Sequence, residues 1–134
     1  MIVSDIIELE LRGVFDRGVP NLERIALYVK IPLNIGQFGL MIGVKGSDGS
    51  AYPLKDNLFW FGDGFVSAGD WVFVYTGAGK TQSSDLPGSA SKLYTVHWGK
   101  SRTLFTSEEL VPILFRVDAV SIAQDQLHLS GPQK

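Results

Sequence analysis

Gly77-Ala78-Gly79-Lys80-Thr81 is the segment whose residue types come nearest to a motif with known chemistry. Glycines followed by a lysine and a threonine form the end of a phosphate-binding loop, and this segment also follows an apolar strand pattern. The complete loop requires a glycine five residues before Gly79, where the chain has Val74, and a helix directly afterwards. Residues 82–87 are largely polar and end in proline, so the segment is better interpreted as a flexible exit from a strand.

Acidic residues form the second group that can carry chemistry. Asp56, Asp63 and Asp70 lie in and around a glycine-bearing loop, and their carboxylates supply the oxygen ligands that Ca²⁺ prefers. Their spacing matches no calcium-binding loop, and aspartate and glycine are also the ordinary residues of turns, so the sequence leaves both interpretations open. Glu108 and Glu109 complete a capping-box pattern, which a helix start explains better than acid–base chemistry.

Histidine and cysteine usage argues against the common catalytic and metal sites. The two histidines are His97 and His128, and neither lies within a pattern that nominates a catalytic triad. The chain has no cysteine, which excludes disulfides and thiolate metal sites. We therefore assign no catalytic residue, no metal-binding residue and no cofactor, and whether Asp56, Asp63 and Asp70 bind a cation stays open. An enzyme assembled from distant residues such as Asp63, Asp70 and His97 is the least favoured hypothesis.

The aromatic side chains carry a stronger prediction, because they are concentrated between Phe59 and Trp98. In Trp71–Tyr75, alternation places Val72 and Val74 on one face of a strand and three aromatic residues on the other. Most aromatic residues are expected in the core, but one sandwich core covers only one face of this strand. The second face is therefore predicted to form a subunit interface or a ligand groove. The candidate interface residues are Phe59, Trp60, Phe61, Trp71, Phe73 and Tyr75.

Alternation of apolar and polar residues predicts short strands along the whole chain. A helix is the competing interpretation for residues 21–27, but the β-branched residues that follow and Pro32 favour a strand. The predicted strands are residues 2–11, 22–31, 38–45, 50–54, 71–76, 92–98, 113–122 and 127–129. The predicted connections are a hairpin turn at 46–49, an irregular segment at 55–69, a mobile loop at 81–91 and one helical turn at 106–109.

Seven to nine short strands with these turn patterns are typical of an all-β protein, either a β-sandwich or a barrel. We expect one domain over residues 1–134, with an N-terminal strand and loop at 1–20 and a frayed tail at 130–134. The composition is that of an ordinary globular protein, with 45% hydrophobic and 19% charged residues.

Charge and the N-terminal segment limit the partners and the location. A net charge of −2 and scattered basic residues argue against a general nucleic-acid binder. Residues 1–12 mix acidic with apolar side chains, so they do not resemble a signal peptide. No run approaches the roughly 20 apolar residues of a membrane-spanning helix. These features predict a bacterial cytoplasmic protein without membrane attachment.

The order of these segments resembles the lamin-tail domain over roughly residues 21–120. The segments that carry the resemblance are Asn21-Leu22-Glu23-Arg24-Ile25-Ala26-Leu27, Gly49-Ser50-Ala51-Tyr52-Pro53-Leu54, Ala68 through Gly79, Leu93-Tyr94 and Trp98-Gly99. The resemblance implies a single immunoglobulin-like β-sandwich that acts as a binding or scaffolding module without catalytic residues. It does not identify a partner.

The sequence therefore favours a non-enzymatic protein-interaction or scaffolding module that self-associates, with a protein partner or a second copy of the chain as its ligand. The alternative is a small-molecule or carbohydrate-binding β domain. In that case the aromatic cluster around Trp60 and Trp71, together with residues 55–68, forms the pocket.

Overall fold

In a computed structural model of the chain, residues 5–123 are described, and they form ten β-strands, one turn of 3₁₀-helix at Ile35–Gln37 and no α-helix. The strands are β1 (Leu9–Phe15), β2 (Arg24–Val29), β3 (Leu33–Asn34), β4 (Phe38–Lys45), β5 (Ala51–Trp60), β6 (Phe65–Val66), β7 (Trp71–Tyr75), β8 (Gln82–Asp85), β9 (Lys92–His97) and β10 (Leu110–Arg116). The prediction of an all-β protein is confirmed. Within this range, the chain contains no helix of the length and hydrophobicity needed to cross a bilayer.

Three sheets organise these strands. The largest has the order β1-β2-β7-β9-β8, and its neighbours are antiparallel except for the parallel pair β7 and β9. A three-stranded sheet has the order β10-β4-β5, and the two-residue strands β3 and β6 pair with each other. The inner faces of the two larger sheets share one core, an arrangement compatible with a β-sandwich. The immunoglobulin-like order of strands stays a prediction.

The core consists of the side chains that alternation turns inward on both sheets. Val72 and Val74 of β7 lie beside Ile25 and Leu27 of β2, and all four are buried. The buried hydrophobic cluster comprises Leu9, Ile25, Leu27, Val29, Ile35, Phe38, Leu40, Ile42, Val66, Val72, Val74 and Phe105. The preference for a strand over a helix near residues 22–31 is confirmed, because β2 is an interior strand of the largest sheet.

The predicted ends of two strands, β1 and β5, are wrong because a bulge interrupts the pairing of each strand with its neighbour. The register of β1 against β2 shifts between Leu11 and Gly13, which lets the strand continue to Phe15 rather than end at Leu11. The register of β5 against β4 passes from Met41↔Leu58 to Gly43↔Pro53, so the residues between them bulge out. The predicted irregular segment therefore contains the second half of β5, which sequence alternation cannot reveal across an insertion.

Three further predictions are wrong, because the structure of these segments depends on the strands and loops packed beside them. The predicted loop at 81–91 contains β8, an exposed edge strand of polar residues that pairs with β9. The predicted helical turn at 106–109 is instead a turn closed by a hydrogen bond of 3.1 Å from the Leu110 N–H to the Ser107 carbonyl. β10 occupies Leu110–Arg116 rather than 113–122. The predictions for residues 127–129 and 130–134 lie outside the described residues.

A buried carboxylate joins three loops at one end of the largest sheet. Glu23, directly before β2, is 1% exposed. Its Oε1 accepts hydrogen bonds from the Thr76 hydroxyl at 2.8 Å and from the Leu104 N–H at 2.7 Å. Its Oε2 accepts from the N–H groups of Gly18 at 2.7 Å and Phe105 at 3.0 Å. Four donors replace the water that the carboxylate loses on burial, which makes its burial tolerable.

We expect Glu23→Gln to lower the free energy of unfolding by about 2 kcal/mol or more, because the amide NH₂ cannot accept the hydrogen bonds and leaves buried donors unsatisfied. Urea denaturation measures this change. Glu109→Gln, at an exposed position, is the matched control and should change the free energy by less than about 0.5 kcal/mol. Equal losses in the two variants would contradict a special role for Glu23.

A second polar contact links the edges of the two larger sheets. The Arg116 guanidinium, at the end of β10, lies 3.1 Å from a carboxylate oxygen of Glu8, which directly precedes β1. The pKa of Glu8 lies below its ordinary value, chiefly because of a backbone hydrogen bond at Glu8 and additionally because of the hydrogen bond from Arg116. A lowered pKa means that the folded state favours the ionised carboxylate.

This contact predicts an acid-dependent loss of stability. Because the folded-state pKa is lowered, the contribution of Glu8 is present above its ordinary pKa of 4.5 and is lost as the pH falls through the folded-state value. The difference in unfolding free energy between wild type and Glu8→Gln, measured with urea, should therefore be larger at about pH 7 than at about pH 3. A difference that is the same at both pH values would refute the prediction.

Candidate functional site

The six predicted interface residues lie in three separate places. Trp71, Phe73 and Tyr75 are half-buried on the outer face of the largest sheet. Phe59 and Phe61 turn inward and pack against the core. Trp60 lies on the outer face of the three-stranded sheet, opposite Gly39 of β4. These residues do not form one continuous surface, and the two outer faces are separated by the core.

Arginine side chains of the same chain cover the aromatic face of the largest sheet. The Arg12 guanidinium lies 5.1 Å from the ring centroid of Tyr28 and 5.3 Å from that of Trp71. The two rings contact each other with centroids 5.0 Å apart. These distances are within the range of cation–π attraction, so each ring is shielded from solvent by a charged group.

Arg24 covers the other half of this face. Its guanidinium lies 5.4 Å from the Phe73 centroid and 5.7 Å from the Tyr75 centroid, and it also approaches the ring of Phe15. Its Nη1 donates a hydrogen bond of 2.7 Å to an Asp16 carboxylate oxygen, which holds the guanidinium in place. Strand alternation explains why Arg24 and Tyr28 of β2 share this face, whereas the proximity of Arg24 to the rings of β7 depends on the pairing of β2 with β7.

The outer face of the three-stranded sheet is apolar, and no arginine among residues 5–123 covers it. We call it the Trp60 face, and it comprises Gly39, Met41, Gly43, Leu58, Trp60, Val111, Ile113 and Phe115. Leu58 is 60% and Trp60 56% exposed. None of these residues is charged, although Lys45 follows at one end of β4. This is an exposed hydrophobic surface of the kind that marks interaction sites.

Two glycines make the Trp60 face flat. A Cβ at Gly39 would collide with the Phe115 ring, and a Cβ at Gly43 would collide with Ile113, so these side chains lie across the backbone of β4. The indole of Trp60 is also held in place, because its Nε1 donates a hydrogen bond of 2.6 Å to the Gly36 carbonyl. A flat, ordered apolar face loses little side-chain entropy when it is covered.

The residues considered for metal binding do not assemble. Asp70 is buried, and its two carboxylate oxygens accept hydrogen bonds from the N–H groups of Ser67 at 2.8 Å and Lys92 at 2.9 Å. It therefore fixes the turn before β7 to the start of β9. Asp56 and Asp63 are exposed, and residues 5–123 contain no group of three potential metal ligands.

The glycine-rich segment after β7 packs on His97. The imidazole stacks on the ring of Tyr75 with centroids 5.4 Å apart, and a Cβ at Gly79 would collide with it. The strand β8 follows this segment, whereas a phosphate-binding loop requires a helix there. The interpretation as a strand exit is confirmed, and the glycine at position 79 is explained by close approach to a side chain.

An apolar cavity of about 140 Å³ opens between the largest sheet and the segment that carries β6. Its walls include Phe61, Phe65 and Val66 from the predicted irregular segment and Tyr94 and Val96 from β9. The sequence predicted a pocket formed by residues 55–68 and the aromatic cluster, and part of that segment does line this cavity. The outward-facing Trp60 and Trp71 are not among its lining residues.

Comparison of the chain with protein-family models, with curated proteins and with solved structures finds no significant match. The geometry of this chain is therefore the basis for inferring its function. Its most distinctive surface is the Trp60 face, because it combines exposed large apolar side chains with an absence of charge within the described residues.

Proposed function

We propose that this chain is a non-enzymatic protein-interaction module that self-associates through the Trp60 face. The observation that carries the proposal is the exposure of Leu58 and Trp60 on a flat and uncharged sheet face. Covering a side chain of this size contributes about 1.5–3 kcal/mol, which favours association. The resemblance to the lamin-tail domain supports a scaffolding role and is itself part of this proposal.

A second copy of the chain fits this face because the residues that form it carry no charge, so a symmetric contact brings no like charges together. In a two-fold symmetric contact, each residue meets the same surface patch of the partner, so a charged patch would meet like charges. The Trp60 face presents only apolar side chains and glycine at its centre. Its flatness suits packing of one sheet face on another.

Face-to-face packing is favoured over pairing of strand edges. β5 and β10 are the two outer strands of the three-stranded sheet, and each contains a proline, Pro53 and Pro112. Proline has no N–H to donate, and β5 also carries the bulge opposite β4. Both features protect the edges and leave the face as the available surface.

The proposed interface contains Trp60 and its neighbours but not Trp71, Phe73 and Tyr75, which the sequence also predicted to take part. These three rings lie beneath Arg12 and Arg24. A partner at that position would have to displace or desolvate two guanidinium groups, which opposes binding. Within residues 5–123, no guanidinium group lies over the ring of Trp60.

We expect the wild-type mass to rise toward that of a dimer with concentration, because burial of the Trp60 face drives association. Leu58→Asp should remain a monomer, because two carboxylates would be desolvated in the contact. Light scattering after size-exclusion chromatography measures both. Val120→Asp, at an exposed apolar position outside the Trp60 face, is the matched control and should associate like the wild type. A wild type that is monomeric at high micromolar concentration would overturn the proposal.

The apolar cavity favours a second candidate function, the binding of a small apolar molecule. A volume of about 140 Å³ suits a small aromatic molecule. The predominantly apolar walls favour such a ligand over a carbohydrate, which needs several hydrogen-bonding partners.

Indole is a suitable probe for this candidate. If the cavity binds it, the methyl resonances of Val66 and Val96 should shift with saturation, while those of Val120 remain unchanged. Methyl-selective NMR during a titration with indole makes this measurement. Shifts that do not saturate, or that affect Val120 equally, would argue against a ligand-binding cavity.

A further inference from the structure

A polar cleft of about 260 Å³ lies at the end of the largest sheet where β2 begins and β7 ends. One wall carries Asn21, Thr76 and Gly77, and the facing segment carries Lys100, Arg102 and Thr103. Residues distant in the chain meet here, because the loops before β2, after β7 and after β9 all lie at this end of the sheet.

The charges of the cleft favour an anion. Lys100 and Arg102 line it, whereas no aspartate or glutamate of the described residues does. Within residues 5–123, neither cation forms an ion pair, although Arg24 and Arg116 do. The Lys100 ammonium lies 5.9 Å above the ring of Trp98. A guanidinium offers the planar pair of donors that suits the oxygens of a phosphate group.

Backbone donors supplement these side chains. The N–H groups of Gly77, Ser101, Arg102 and Thr103 donate to no acceptor within the described part of the chain. The hydroxyls of Ser101 and Thr103 add two further donors to the same segment. Phosphate sites in proteins combine backbone N–H groups with one or two cationic side chains in this way.

Glu23 holds the walls of the cleft in position. It accepts a hydrogen bond from the hydroxyl of Thr76 in one wall and from the N–H groups of Leu104 and Phe105, which directly follow the other wall. The negative charge of this carboxylate lies near the cleft, but the four hydrogen bonds that the carboxylate accepts offset it. Walls fixed before binding lower the entropic cost of holding a ligand.

A second cavity of about 340 Å³ adjoins the cleft, since Arg102 and Thr103 line both. Its other walls combine apolar side chains, including Leu54, Leu104 and Leu110, with the polar residues Asn57 and Thr106. We propose that the cleft binds the phosphate group of a small organic phosphate, whose apolar part occupies this second cavity. This inference is independent of self-association through the Trp60 face.

Calorimetric titration at low ionic strength tests the proposal with phenyl phosphate and inorganic phosphate as probes. The wild type should bind both with saturation and should bind phenyl phosphate more tightly. Arg102→Ala and Lys100→Ala should each weaken binding of both probes by about tenfold, the usual effect of losing a charge-assisted hydrogen bond.

Two control variants separate the charge from the apolar contact. Lys30→Ala removes one positive charge at the opposite end of β2 and should leave both affinities unchanged. Leu54→Ser should weaken phenyl phosphate but leave inorganic phosphate unchanged. Leu58→Asp, which targets self-association, should bind both probes like the wild type, so a failure of the dimer does not affect this test.

Several outcomes would overturn the proposal: no saturable binding of phenyl phosphate at millimolar concentration, equal affinity for the two probes, or cleft variants that bind like the wild type. If Arg102→Ala does not fold, backbone amide NMR of the wild type decides the question. Shifts centred on Gly77 and residues 101–103 upon addition of phenyl phosphate support the proposal, and shifts confined to other residues refute it.

Discussion

The carboxylate of Glu23 is the interaction on which one whole end of the molecule depends. A charge buried to this degree is unstable unless every oxygen finds donors, and here each oxygen accepts two hydrogen bonds. The donors come from three different loops, so the loops cannot move apart without leaving the carboxylate unsatisfied. The same constraint places Thr76 opposite the segment 100–103 and thereby creates the polar cleft.

The outer faces of the two larger sheets both carry apolar side chains that the shared core does not bury. The two faces differ in what covers these side chains. On the largest sheet, Arg12 and Arg24 lay their guanidinium groups over the aromatic rings, which supplies cover while keeping charge in contact with water. On the three-stranded sheet, Gly39 and Gly43 let Phe115 and Ile113 lie flat, and no charged group of the described residues covers this face. This difference assigns the two faces different roles in the proposed assembly.

Strand predictions succeeded where pairing is regular and failed where it is not. The bounds of β4 match the prediction because its apolar residues alternate without interruption and both neighbouring strands follow it. The predicted strand ended at Leu54, whereas β5 continues to Trp60. The extra residues after Pro53 interrupt the alternation of side chains, although pairing with β4 resumes at Leu58. β8 was missed because an edge strand exposed on both faces has no apolar pattern to detect.

The sequence by itself determined the all-β class, the two apolar faces of Trp71–Tyr75 and the hairpin turn at 46–49, since each depends on side-chain alternation or on the conformational preference of neighbouring residues. The tertiary structure alone decided which aromatic residues are covered, where Asp70 directs its oxygens and which loops meet at Glu23. These properties depend on which strands lie side by side. Arg24 and Tyr75, or Asn21 and Arg102, are distant in the chain, and local periodicity carries no information about such neighbours.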